Sequence, residues 1–173
     1  KYGGSSLCDA GMIRHVARKI ALSADAGYKI VATVSAMGDS TDDLIALAHG
    51  VTDNPDPREL DVLLSTGELI SCSLVAMALK ALGKKSVSLS GAQAGIQTNR
   101  RYGRAKIAGL DTKRILAELD QGNIVIVAGF QGITENMDIT TLGRGASDLT
   151  AVALSAALGA TRCEIYTDVD GIY

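Results

Sequence analysis

With 173 residues, 47% of them apolar, the chain is long enough to bury one core and too apolar to be disordered. A formal net charge of −2 gives no basic nucleic-acid surface, and an aromatic content of 3% requires a core of Val, Ile, Leu and Ala. Cys8, Cys72 and Cys163 are odd in number and form no CxxC pair, so they read as free thiols of a reducing, cytoplasmic compartment rather than a disulfide or zinc framework. His15 and His49 have no Cys or acidic partner at ligand spacing and read as surface or helix-end residues. No run approaches membrane-spanning length and no signal peptide is visible.

In chain order, Lys1-Tyr2-Gly3-Gly4 reads as the end of a strand entering a loop, with the strand's body missing. Asp9 to Ala26 is an amphipathic helix: Met12, Ile13, Val16, Ala17, Ile20 and Ala24 recur at three and four, Asp9 can cap it and Gly27 can end it. Lys29 to Ala36 is a β-branched strand, Met37 to Ser40 a loop and Thr41 to His49 a short helix. Gly50 to Pro57 holds both prolines and reads as an exposed connection. Arg58 to Leu82 is helical in composition, but Ser65-Thr66-Gly67 is expected to break it, because glycine costs a helix interior about 1 kcal/mol relative to alanine. Ser86 to Leu89 is a strand and Gln93 to Ile107 a hairpin. Asp111 to Asp120 is a helix with Gly122 beyond it. Asn123 to Ala128 is a buried strand, Ala146 to Leu158 a helix, and Cys163 to Asp168 a strand. Alternating strands and helices with apolar strands predict a mostly parallel sheet covered on both faces. The chain reads as a piece of a longer protein, truncated at both ends.

The familiar nucleotide motifs do not fit. The nearest approach to a P-loop, Ala78 to Ser86, lacks the first glycine and puts Lys85 where Ser or Thr belongs. Gly143 and Gly145 are followed by Asp148 where a dinucleotide fingerprint needs its third glycine. Neither HRD nor DFG occurs, and no G-x-S-x-G elbow supports a serine hydrolase. What remains is a set of polar or glycine-rich loops, each just after a strand: Tyr2 to Ser6, Ser35 to Thr41, Gly129 to Gly132 and Thr167 to Gly171. In an open parallel sheet, ligands gather at the carboxyl ends of strands.

KYGGSS, VSAMGDSTDDL, LLSTGELIS, GAQAGIQT, VAGFQG, TTLGRGASD and YTDVDGIY occur in that order across nearly the whole chain. This set resembles the aspartate kinases (aspartokinases) of the amino acid kinase family. The resemblance implies a three-layer α/β/α sandwich with a mostly parallel central sheet. It makes residues 1–173 a partial catalytic domain, with a C-terminal part and regulatory ACT domains beyond it. The implied reaction passes the γ-phosphoryl group of ATP to the side-chain carboxylate of L-aspartate, at the head of lysine, threonine and methionine biosynthesis. Mg2+ is expected mainly on the ATP phosphates, with no protein metal ligand. L-Aspartate and ATP are the expected partners, with a homo-oligomer or an assembly with ACT-containing regulatory subunits, and neither nucleic acid nor membrane. Acetylglutamate or glutamate as acceptor, or an inactive binding module, stand as alternatives.

On this resemblance Lys1 and Asp148 are the catalytic candidates. Lys1 would neutralise phosphate oxygens and Asp148 would hold Lys1 in place, with the alternative that Lys1 is a polar chain end. Arg144 would grip the substrate α-carboxylate and Glu68 its ammonium, against the plain reading of Glu68 as a solvated helix residue. Ser35, Thr41 and Ser147 would donate to aspartate or phosphate, or cap helices. Phe130 would line the site or simply pack. Lys1, Gly3, Gly4 and Ser5 would meet the phosphates, and Thr167, Asp168 and Tyr173 the rest of the nucleotide, while Asp170-Gly171 reads as a plain turn. Ala146 stands where the resembling pattern usually has glycine, and therefore needs an ordinary φ.

Overall fold

The structure, a computed structural model, describes residues 1–143 and 145–166. Helix α1 spans Ala10–Asp25; Asp9 is extended and accepts the Met12 N–H at 2.8 Å, satisfying one of the donors that a helix start leaves unpaired. Strands β1 (Val31–Val34), β2 (Ser86–Leu89) and β5 (Ile124–Ala128) form a parallel sheet in the order β1-β5-β2. Tyr2 continues it by parallel bridges to Val34 and Tyr166, and the two tyrosine rings stack at 4.7 Å.

The period of two along β5 divides the core. Ile124, Ile126 and Ala128 pack with α1 and with α3 (Pro57–Ala81) on one face. Val125 and Val127 pack on the other with Ile115 and Leu119 of α4 (Lys113–Asp120) and Leu154 of α5 (Ser147–Ala157). Every residue of β5 is buried, as befits a strand covered on both sides. This is the three-layer α/β/α arrangement.

A second sheet has the order β4-β3-β6-β7, built from β3 (Ile96–Thr98), β4 (Ile107–Leu110), β6 (Gln131–Ile133) and β7 (Ile139–Thr141). Only β3 and β6 run parallel in it. The hairpin predicted before Ile107 is there as β3 and β4, but its second arm extends to Leu110. The β6–β7 hairpin was not predicted: its strands have three residues each, and Gln131, Thr140 and Thr141 are polar yet buried.

Three further expectations are corrected. Helix α3 is continuous through Ser65-Thr66-Gly67. The Ser65 and Thr66 hydroxyls donate back to the Val62 and Leu63 carbonyls at 2.8 and 2.6 Å, and packing along 25 residues outweighs one glycine's propensity. Gly67 serves a close approach instead: a Cβ there would lie 3.0 Å from the Ala36 Cβ. The segment from Cys163 forms a single bridge at Tyr166 rather than a strand within the described residues, and Asp168 lies outside them. Finally, α3 is long and apolar enough by composition to cross a membrane, but it packs as a core helix between α1 and the sheet, with Asp61 and Glu68 buried on it. Helix α2 (Ser40–Val51) connects β1 to α3 and buries no residue fully.

Candidate functional site

The carboxyl ends of β1 and β5, and of the short extension at Tyr2, meet at one edge of the parallel sheet. A cavity of about 350 Å³ opens there. Its wall takes Lys1 and Gly4 from the first loop, Ser35, Ala36 and Gly38 after β1, and Thr41 and Asp42 from α2. Glu68 of α3, Phe130 after β5, and Gly145, Ser147 and Asp148 at the start of α5 complete it. The structure thus brings together Lys1, Gly4, Ser35, Thr41, Glu68, Phe130, Ser147 and Asp148 from the sequence candidates. Gly3 and Ser5 lie beside Gly4 without lining the cavity, and Ser5 begins a short 3-10 turn (Ser5–Leu7). Arg144, Thr167, Asp168, Asp170, Gly171 and Tyr173 lie outside the described residues.

At one end of the cavity the Lys1 Nζ stands 2.7 Å from Asp148 Oδ1, with side chains 13% and 49% exposed. Two features aim the lysine. Its backbone nitrogen donates to the Glu164 carbonyl at 2.6 Å, and its carbonyl accepts the Tyr166 N–H at 2.9 Å. Asp148 stands in the first turn of α5, where a carboxylate is favoured by the helix dipole. Gly4 is confined by the crossing β1–α2 loop, since a Cβ there would lie 2.8 Å from the Ala36 carbonyl oxygen.

Glu68 is 3% exposed. Its Oε1 accepts the Ala36 N–H at 3.3 Å, while Oε2 is buried with no hydrogen-bond partner among the described residues. Burial pushes its carboxyl up to about 7 from the ordinary 4.5, against the lowering effect of its backbone hydrogen bonds. A buried acceptor left open beside a cavity is costly unless something supplies a donor. The solvated-helix alternative for Glu68 is therefore excluded.

Neither Thr41 nor Ser147 is a capping residue: α2 follows Asp39 and α5 follows Ala146, both without a side-chain cap bond, and Ser35, the first residue after β1, precedes α2 by several residues. Ala146 has φ −79°, an ordinary value that accommodates its Cβ, while Gly143 and Gly145 take φ of 93° and 77°. Phe130 both packs and lines the wall, and it holds φ 67°, a left-handed conformation that a non-glycine residue adopts only when its surroundings impose it.

Sequence reading missed the residues that impose it. The fully buried Thr150 hydroxyl accepts the Phe130 N–H at 3.2 Å and donates to the Ala146 carbonyl at 3.1 Å. The Phe130 carbonyl accepts the Leu142 N–H at 2.8 Å. Ser71 donates to the Ser35 carbonyl at 2.6 Å, fixing the loop after β1. A second, more apolar cavity of about 220 Å³ shares Thr41 and Phe130 with the first and is walled by Ile45, Leu60, Asp61, Leu64, Gly103 and Thr141. No cluster of three metal-ligating side chains occurs among the described residues.

Residues 1–173 match the family model described as the amino acid kinase family. The aspartokinase of Mycobacterium tuberculosis is 55% identical over 174 residues, covering all of this chain and 41% of its own length. The aspartate kinase of Synechocystis superposes with a TM-score of 0.86 at 44% identity, covering 99% of this chain and 28% of that one. E. coli aspartokinase III, solved with aspartate and ADP, gives a TM-score of 0.86 at 30% identity, covering 99% and 49%. The chain therefore spans about two-fifths of the length of the curated relatives it matches.

Proposed function

The chain belongs to the amino acid kinase family, and from that premise we propose that it transfers the γ-phosphoryl group of ATP to the side-chain carboxylate of L-aspartate. The products are ADP and 4-phospho-L-aspartate. One observation carries the reading: a single cavity joins a buried carboxylate with an open oxygen, Glu68, to a cation held in place, Lys1. The aspartokinase names of its relatives, and aspartate and ADP bound to one of them, support the same assignment.

The chemistry asks little of the protein beyond placement and charge. An aspartate side chain, with a pKa of about 3.9, is already ionised at neutral pH, so attack on the γ-phosphorus needs no general base. As the new O–P bond forms, the bond to the ADP oxygen breaks, and the electron pair leaves with ADP. Lys1 would neutralise charge on the phosphoryl oxygens, and Asp148 would keep its ammonium at the reacting end. The backbone of Gly3, Gly4 and Ser5 would bound the phosphates. Magnesium arrives with ATP as part of the substrate, and no metal ligand of the protein is assigned. Glu68 Oε2 would take the substrate ammonium and Arg144 its α-carboxylate, a guanidinium matching a carboxylate in two parallel hydrogen bonds. Ser35, Thr41 and Ser147 would supply neutral donors, and Phe130 the apolar wall. Thr167, Asp168 and Tyr173 belong to the nucleotide side of the same reading.

Glu68 also speaks against acetylglutamate, which has no ammonium to meet a buried open carboxylate. The test is ADP release by the full-length protein with ATP and magnesium, comparing L-aspartate, L-glutamate and N-acetyl-L-glutamate. Aspartate-dependent turnover is expected; turnover with another acceptor and none with aspartate would sink the substrate assignment. Assembly as a homo-oligomer, or with ACT-bearing regulatory subunits, belongs to this reading and is checked by light scattering of the full-length protein.

A further inference from the structure

Asp61 is 1% exposed and lies on α3 seven residues before Glu68, close to two helical turns and so near the same face. Both of its oxygens are engaged. Gly103 N donates to Oδ1 and Oδ2 at 3.0 and 2.9 Å, Thr141 N donates to Oδ2 at 2.9 Å, and the Thr141 hydroxyl donates to Oδ1 at 2.6 Å. No ion pair to Asp61 occurs among the described residues, so hydrogen bonds satisfy its buried oxygens. A carboxylate accepts the whole set, whereas an amide would turn an NH2 group toward the Gly103 N–H and reverse the bond with the Thr141 hydroxyl.

These donors come from the second sheet, not from α3. Thr141 ends β7, and Gly103 lies in the loop between β3 and β4; both wall the smaller cavity. The residue after Thr141 donates its N–H to the Phe130 carbonyl at 2.8 Å, and Gly143, at positive φ, accepts the Ala146 N–H at 3.2 Å. A displacement of Thr141 is thus passed by one covalent step and one hydrogen bond to Phe130, which walls both cavities. Lys1 and Asp148 stand at the other end of the cavity, and among the described residues neither side chain is hydrogen-bonded to Asp61, Thr141, Leu142 or Phe130.

We infer that Asp61 is a positioning residue for the amino-acid half of the site: it locks β7 and the Gly103 loop to the helix that carries Glu68, and so fixes Phe130 in the wall it shares with that carboxylate. The inference rests on the aspartate kinase reading above. It touches no substrate and acts only through Thr141 and Gly103.

The experiment measures steady-state kinetics of the full-length protein for Asp61→Asn, Thr141→Val and Thr141→Ser, with circular dichroism melting of each. For Asp61→Asn, KM for aspartate is expected to rise about tenfold or more while KM for ATP changes by less than about twofold. Thr141→Val, which removes only the hydroxyl donor, is expected to raise aspartate KM about threefold, and Thr141→Ser, which keeps it, to restore the wild-type value. Should Asp61→Asn fail to fold, the Thr141 pair alone decides. An unchanged aspartate KM with a lower melting point, or equal rises in both KM values, overturns the inference and leaves Asp61 a structural residue. Absence of aspartate-dependent turnover in the wild type would instead overturn the reading on which it rests.

Discussion

At the scale of single residues, the strongest pH dependence belongs to Glu68. Its carboxyl is raised by burial to about 7 in the fold and titrates at about 4.5 when unfolded. Between those values the folded protein holds a proton that the unfolded chain has released, so stability falls as pH rises through the window and stays lower above it. The change is on the order of 3 kcal/mol for the ligand-free protein. Chemical denaturation from pH 4 to 8 is expected to show this slope, and Glu68→Gln to flatten it; an unchanged slope in the variant would refute the assignment. Binding an ammonium requires the ionised form, so aspartate affinity is expected to fall about tenfold per pH unit below 7, with release of a proton measurable by calorimetry in two buffers. Lys1→Ala or Asp148→Asn acts at the other end. Each is expected to lower kcat by about 10²–10³-fold with little change in aspartate KM, and wild-type turnover in either would remove that residue from the reaction. Lys1, Glu68 and Asp148 were legible in the sequence because each lies in a motif. Asp61 and Thr150 were not, because the partners that explain them stand 80 and 20 residues away in the chain.

At the scale of elements, the long helices and the apolar strands of the parallel sheet were legible because periodicity reports burial directly. The β6–β7 hairpin escaped because its burial is polar. Thr98 and Thr140 pair their hydroxyls at 2.6 Å, and Gln131 donates to the Ser65 carbonyl at 2.9 Å, satisfactions that hydropathy cannot register. Gly67 misled for a related reason: a glycine in a helix signals either a break or a neighbour, and only the packed structure shows Ala36 against it. Gly67→Ala therefore sets two effects in opposition. The alanine gains about 1 kcal/mol of helix propensity and must push Ala36, whose N–H holds Glu68, by a few tenths of an ångström. Little change in melting temperature with a several-fold rise in aspartate KM is expected from paired melting and kinetic measurements; a purely stabilised variant with wild-type KM would show that the contact yields freely.

At the scale of the whole molecule, the three thiols report how the fold opens. Cys8 and Cys163 are exposed, whereas Cys72 is buried and its thiol is pushed up to about 12 by burial. Two thiols are expected to react promptly with a disulfide reagent at pH 8, and the third only at the rate of global unfolding. Leu79→Ala, at a fully buried position between α3 and the sheet, is expected to cost about 2–5 kcal/mol in urea titration and to speed reaction of Cys72 accordingly. Prompt reaction of all three would mean that this layer opens locally. The layered architecture itself was legible, since alternating strands and helices admit few arrangements; the mixed second sheet was not, since its parallel pairing of β3 with β6 joins short segments far apart in the chain. The contact between Lys1 and Asp148 has a last consequence. The lysine already has its counter-ion, so on the proposed reading a nucleotide would meet an ion pair rather than a bare cation. Such a pair would hold ATP and ADP alike less tightly than a bare cation would, and so would ease departure of the product nucleotide.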